Sequence, residues 1–273
     1  MIKGNLTRYA KRVENLRLSM ILETRNLGIR FGGVVALQGL DLQIEKEEIL
    51  GVIGPNGAGK TTLLNLITGI YPPTSGQISF KGKKIDGLAP HKIAALGISR
   101  TFQNIRLIPA LSVLENVMLG RALHVKESPL DSVLLHSRVK AERSKWISFA
   151  EEILESVGLG GEMDIEAISL PYGKQRTVEI ARAIATGAEI LLLDEPGAGM
   201  SKQEKEHLVN FIGNLRKGMK RTIVLIEHDV KMVLNVADRV VVLDFGVKIA
   251  DEAPEAVKSN PKVIEAYLGT EAT

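Results

Sequence analysis

"GVIGPNGAGKTTLLNLITG", residues 51–69, passes from an apolar strand through a glycine-rich turn into a helix, and this order sets the class of the whole chain. Its centre, "GPNGAGKTT" (54–62), fits G-x-x-x-x-G-K-[ST] with the strand before and the helix after that the motif requires. Gly54, Gly57 and Gly59 let the backbone wrap closely around phosphate oxygens, while the amides and the helix start supply positive partial charge. Lys60 is placed to reach the β and γ phosphates of a polyphosphate, and Thr61 to ligate Mg²⁺. The candidate binding loop is thus Gly54, Pro55, Asn56, Gly57, Ala58, Gly59, Lys60, Thr61 and Thr62.

Outward from this loop, "ILLLDEP" (190–196) is an apolar run ending in two carboxylates, as a buried strand delivers acids to the carboxyl edge of a parallel sheet. Asp194 suits a Mg²⁺ held through water, and Glu195 suits a general base for an attacking water. "TIVLIE" and "RVVVLDF" read as further strands, with helices expected at 175–187, 203–217 and 230–236 between them. Strands alternating with helices imply a parallel sheet covered on both faces. Residues 21–53 instead read as strands joined by short turns. Between 104 and 168 the apolar spacing becomes helical, so this segment reads as a helical insert. Its Ile105, Leu107, Leu111, Val113, Leu114, Val117 and Met118 are expected to be mostly core.

The chain has 273 residues, 45% of them apolar and 25% charged, an ordinary balance for a globular protein with a real core. It has no cysteine, so disulfides and thiolate metal sites are excluded. Apolar runs such as "ILLL" (190–193) and "VVVL" (240–243) are far shorter than the ~20 residues of a membrane helix. The excess of positive charge sits in residues 1–19, where Lys3, Arg8, Lys11, Arg12 and Arg17 face Glu14 alone. Residues 1–19 read as a disordered upstream extension, with a membrane-surface or nucleic-acid contact as the alternative; the folded part is expected to begin at Met20, and no nucleic-acid partner is expected for the chain.

Five segments in order carry a family resemblance: "GPNGAGKTT", Gln103 in "RTFQN", "LPYGKQR" (170–176), "LLLDEP" and His228 in "IEHDV". The set resembles the ATP-binding cassette of ABC transporters from residue 21 to about 250. The resemblance implies an α/β P-loop NTPase: a RecA-like, mainly parallel sheet core with an antiparallel β subdomain, plus an inserted α-helical subdomain. The core would take residues 20–103 and 169–273, and the helical subdomain, contacting a membrane partner, residues 104–168. It also implies ATP and Mg²⁺ as cofactors. Gln103 would contact Mg²⁺ and the attacking water, His228 the γ-phosphate, and Phe31 in "RFGG" the adenine; Glu195, His228, Gln103 and Lys60 would form the catalytic set.

Leu170, Pro171, Tyr172, Gly173, Lys174 and Gln175 stand where the family's signature loop faces the γ-phosphate bound by a second subunit. The usual serine and first glycine are missing, yet most of that contact is backbone amide and helix dipole, which survive a change of side chain. Gly173 is kept, and Lys174 adds a cation. This form of the loop resembles the subgroup that powers branched-chain amino-acid importers, as does the ending "PKVIEAYLG" (261–269). In "GAGMSKQE" (197–204), Ser201 replaces the aspartate by which most cassettes bridge their two subunits, and it equally suits a helix cap. The resemblance therefore implies an importer ATPase on the cytoplasmic face of the inner membrane, paired with itself or a paralogue. Separate transmembrane permease subunits and, indirectly, a solute-binding protein would be its partners. An exporter-type ABC ATPase, lipopolysaccharide-like, and a soluble ABC protein acting on nucleic acid or ribosomes are the alternatives.

Overall fold

Strand β1 (Met20–Phe31) turns back on β2 (Val34–Glu45) through Gly32 and Gly33, with Phe31 opposite Val34. Along β2, Leu40, Leu42 and Ile44 are buried while Asp41, Gln43 and Glu45 are exposed, the alternation that buries one face of an antiparallel sheet. Thr24, buried between the two strands, donates its hydroxyl to the Leu40 carbonyl at 2.8 Å and accepts from the Leu42 amide at 3.0 Å. Two further strands, β4 (Ser75–Phe80) and β5 (Lys83–Lys84), complete a sheet of order β2-β1-β4-β5.

The computed structural model describes residues 20–124 and 136–268, so the basic segment 1–19 lies outside the described residues. It divides into two compact units. One comprises the described residues up to Pro90 and from Ala237 onward; the other runs from His91 to Val236.

The first unit holds the antiparallel sheet and a second group of strands. There β3 (Ile49–Ile53), wholly buried, pairs in parallel with β9 (Arg239–Asp244), which pairs antiparallel with β10 (Val247–Glu252). Helix α1 (Lys60–Ile67) follows β3, and α8 (Pro254–Ser259) and α9 (Pro261–Leu268) close the described chain. Arg239 ties these parts together, bonding Glu48 at 2.7 Å, Asp251 at 2.6 Å and the Gln43 carbonyl.

The second unit is entered through α2 (Pro90–Leu96) and carries three parallel strands, β6 (Ile98–Arg100), β7 (Ile190–Asp194) and β8 (Thr222–Ile226). Every residue of β7 and β8 is buried, matching the unbroken apolar runs of the sequence. Its helices are α3 (Val113–Met118), α4 (His136–Ser156), α5 (Tyr172–Ala185), α6 (Lys202–Met219) and α7 (Val230–Val236). The three helices expected around 175–187, 203–217 and 230–236 are present, with α5 starting three residues earlier.

The described part of the insert departs from its helical reading at its start and in short turns after α4. Residues 101–111 form no helix, and α3 has only six residues. Val113 and Val117 are fully buried, but Ile105, Leu107, Leu111, Leu114 and Met118 are only half-buried. Asn116, with no exposed surface, explains the local shape. Its amide donates to the carbonyls of Ile108 and Leu111 at 3.1 Å and Ser112 at 3.0 Å, and its oxygen accepts from the Ile108 amide at 2.9 Å. These bonds satisfy backbone groups that a helix would otherwise pair.

Candidate functional site

In the first unit, Gly54 follows β3 with φ 151°, and a Cβ there would lie 2.0 Å from the Leu243 carbonyl oxygen, so no side chain fits. Gly59 caps α1 at φ 102°, where a Cβ would come within 2.8 Å of the Ala36 carbonyl. The helix start has no side-chain cap and no acidic residue in its first turn, which leaves its amides for an anion. Lys60 is 5% exposed, and its ammonium bonds the carbonyls of Gly54 at 2.7 Å and Pro55 at 2.9 Å, lying back over its own loop. Ala58 is buried and its carbonyl accepts from the Gly246 amide at 3.0 Å, while Asn56, Gly57 and Thr61 face outward and Thr62 is half-buried. Tyr267 of α9 joins the loop from the far end of the chain. Burial pushes its phenol up, and a hydrogen bond from the Gly54 amide pulls the other way. Phe31 is exposed and meets Tyr71 edge-on, with ring centroids 5.1 Å apart at 75°.

In the second unit, Glu195 at the end of β7 meets two residues that the sequence pointed to, and Asp194 meets one that it did not. Asp194 Oδ2 accepts from Arg100 at 2.7 Å, both side chains being buried. Glu195 Oε2 accepts from the Gln103 amide at 2.9 Å, and its Oε1 lies 2.6 Å from His228 Nε2. Gln103, Glu195 and His228 are thus brought onto one carboxylate, with Asp194 next in sequence. Glu195 itself has φ 48°, in the left-handed region, and its amide donates to the Ile226 carbonyl at 2.9 Å. Beyond it, burial raises the Glu227 carboxyl above the usual range, against hydrogen bonds from the Gly197 and His228 amides, and the charge of Glu195 raises it further.

Helix α5 starts inside "LPYGKQR". Pro171 is its N-cap residue, with no side-chain cap. Leu170 is buried, and Gln175 donates to the carbonyls of Ile168 at 3.0 Å and Leu170 at 2.8 Å, holding the loop. Tyr172 is exposed. Lys174 pairs with Glu162 in an exposed contact of the kind that contributes little and is readily broken. Gly173 is buried, and a Cβ on it would lie 2.6 Å from Glu204 Oε1. Ser201 caps α6 in a capping box with Glu204, which bonds the Ser201 amide at 2.8 Å and hydroxyl at 2.7 Å. These bonds and another from the Gly173 amide hold the Glu204 carboxyl below its usual range.

The profile of the ABC transporter family matches residues 37–198. The chain belongs to the ABC transporter ATP-binding family. This family hydrolyses ATP to power transport. A second profile, "Branched-chain amino acid ATP-binding cassette transporter", matches residues 247–273 of this ABC protein. The chain is 41% identical over 249 residues to the high-affinity branched-chain amino acid transport ATP-binding protein BraF of Pseudomonas aeruginosa, covering 91% of this chain and 98% of the relative. LivG of Escherichia coli, which carries the same description, is 40% identical over the same shares. Among solved structures, an ABC transporter cassette in its ADP conformation is similar with TM-score 0.78 and 33% identity, covering 92% of this chain and 99% of that one. A dimeric cassette in a post-hydrolysis state bound to ADP and Pi has TM-score 0.70 and 25% identity, covering 86% of this chain and 99% of that one.

Several residues packed around the ABC motifs had no place in the sequence reading. Tyr71 lies forty positions from Phe31 and carries no motif. Arg100 stands three residues before Gln103, and only the pairing of β6 with β7 puts it beside Asp194. Arg176 closes the quoted "LPYGKQR" but is fully buried, and its partner Glu179 follows at the i+3 spacing of a helical ion pair. That spacing, on a face shared with the buried Ile180 and Ala183, was the available signal.

Proposed function

We propose that this chain is the ATP-hydrolysing subunit of an importer for branched-chain or related amino acids. It would act on the cytoplasmic face of the cell membrane as a head-to-tail pair with a second copy or a paralogous subunit. Permease subunits would span the bilayer, and a solute-binding protein would deliver the amino acid to them. The observation that carries this reading is the 40–41% identity along 98% of relatives named for branched-chain amino acid transport. The match of the C-terminal residues 247–273 to the branched-chain subgroup supports it. No helix among the described residues is long and apolar enough to cross a membrane. The insert, 104–168, is the candidate contact with that permease.

In this reading loop 54–62 binds the polyphosphate: its amides and the α1 start face the oxygens, and Lys60 leaves its two carbonyls for the β and γ phosphates. Glu195 takes a proton from water as the water oxygen bonds to Pγ and the bond from Pγ to the ADP oxygen breaks. Gln103 and His228 each hold one oxygen of that carboxylate, fixing its plane, and each oxygen keeps a lone pair for the water. The signature residues 170–175 contribute the α5 start to the γ-phosphate held by the partner subunit, a reading supported by the dimeric form of a related cassette. Mg²⁺ fits the donors offered. Thr61 offers a hydroxyl, Gln103 an amide oxygen and Asp194 its Oδ1, the oxygen other than the one Arg100 holds, all of them hard ligands. A cation bound chiefly through phosphates and water is Mg²⁺-like, and it would neutralise charge on the β and γ oxygens.

Reconstitution in proteoliposomes with candidate permease and receptor proteins tests the assignment. ATP-dependent uptake of leucine, isoleucine or valine is expected; hydrolysis without uptake of any of them, alongside uptake of an unrelated solute, overturns it. Phe31→Ala should raise the KM for ATP about two- to twelvefold with kcat unchanged, from the loss of about 0.5–1.5 kcal/mol of aromatic stacking. An unchanged KM in steady-state kinetics would place the adenine elsewhere. A chain begun at Met20 should keep full ATPase activity, since Met20 opens β1.

A further inference from the structure

Among the described residues Arg176 is the largest fully buried side chain, and neither the signature loop nor the hydrolytic group explains its burial. Its guanidinium donates to the Phe102 carbonyl at 2.6 Å and to the Gln103 carbonyl, two successive acceptors in a stretch with no helix or strand of its own. It also donates to Glu179 Oε2 at 2.8 Å, and that side chain is 2% exposed. The other Glu179 oxygen accepts from the Arg106 amide at 3.4 Å. Helix α5 therefore grips residues 102–106 at several points through one buried ion pair. A neutral side chain cannot supply so many donors in a fixed fork, and a buried guanidinium is tolerated only because Glu179 balances it.

What this grip holds is the backbone of the residue whose side chain reaches Glu195. We propose that Arg176 is a positioning residue for hydrolysis: by clamping the Phe102 and Gln103 carbonyls to α5, it aims the Gln103 amide at Glu195. The consequence is mechanical. The helix whose start forms the signature loop also sets the geometry of the attacking-water residues in its own subunit, so a shift of α5 on contact with a partner's phosphate alters the aim of Gln103. Tyr172 sits on the same line, its hydroxyl 3.4 Å from the Arg176 guanidinium. This inference rests on the hydrolytic roles proposed above for Gln103 and Glu195.

The test is a double-mutant cycle on the full chain with ATP and Mg²⁺. Arg176→Lys keeps the charge but loses the fork. It should lower kcat about tenfold and leave the KM for ATP unchanged, an effect of the size expected for a misplaced catalytic group. In a Gln103→Ala background the same substitution should change kcat less than about twofold, because the side chain being aimed is gone. An equal loss in both backgrounds overturns the proposal, because it would show that Arg176 acts through general packing. Amide hydrogen exchange supplies a readout free of turnover: the Arg106 amide, which donates to Glu179, should exchange faster in Arg176→Lys, and unchanged protection there also overturns it. If Arg176→Lys fails to fold, the pair Arg176→Met with Glu179→Leu, which removes both members of the buried pair and leaves Arg182, 3.9 Å from Glu179 and 21% exposed, to turn to water, carries the same expectations. Full turnover by Glu195→Gln would instead sink the hydrolytic roles themselves, separating that failure from a failure of the clamp.

Discussion

Glu195→Gln is expected to bind ATP as the parent does and to hydrolyse it about 10²–10⁴-fold more slowly, the usual contribution of a general base. The geometry makes this a clean substitution. The glutamine is isosteric, its oxygen can still accept from Gln103, and its NH₂ can donate to a neutral His228, so both contacts of the carboxylate are preserved in altered form. What disappears is the capacity to take a proton. Turnover within twofold of the parent, with nucleotide binding intact by fluorescence titration, would show that another group activates the water. Retained binding is expected because the loop at 54–62 belongs to the other compact unit and has its own bracing by Gly246 and Tyr267.

Gly173→Asp should abolish ATP-dependent dimerisation while leaving nucleotide binding unchanged. Light scattering in the Glu195→Gln background, where ATP is not consumed, is the suitable measurement. Two causes could produce the loss, and the structure separates them. Within one subunit, any Cβ at 173 would meet Glu204 Oε1 at 2.6 Å, and an aspartate would add carboxylate beside carboxylate. Across subunits, it would place a negative charge where a phosphate is to dock. The pair Gly173→Asp with Glu204→Ala removes the first cause and keeps the second. If the pair remains monomeric with ATP, the docking role of the helix start stands; if dimers return, Gly173 serves only to accommodate Glu204.

Much of the fold could be read from the chain because the relevant signals are local. The strands "ILLLD" and "TIVLI" are continuous apolar runs, and the phosphate loop is contiguous, so neither needs knowledge of distant partners. Gln103 and His228 required the ordered set of motifs, since neither residue alone says anything; the structure then places both on Glu195. The rest was hidden by sequence distance or by mimicry. Arg176 meets carbonyls 73 and 74 positions away, and an arginine at the start of a helix ordinarily reads as surface. Residues 104–111 copy helical apolar spacing, but the Asn116 side chain binds the Ile108 amide and the Ile108 and Leu111 carbonyls and holds an irregular path there instead. Ser201 is a case in which the plain reading was sufficient: it is a helix cap, reciprocated by Glu204.

With Glu195 as the proposed base, its left-handed backbone sets heat tolerance against catalysis. A residue with a Cβ held at φ 48° costs on the order of 1 kcal/mol relative to one free of that crowding. Glycine would relax this position most and asparagine in part, and neither can serve as a base. Selection of variants for thermal endurance alone would therefore erode the active carboxylate early, whereas selection for growth on a transported nutrient would keep it and seek rigidity elsewhere.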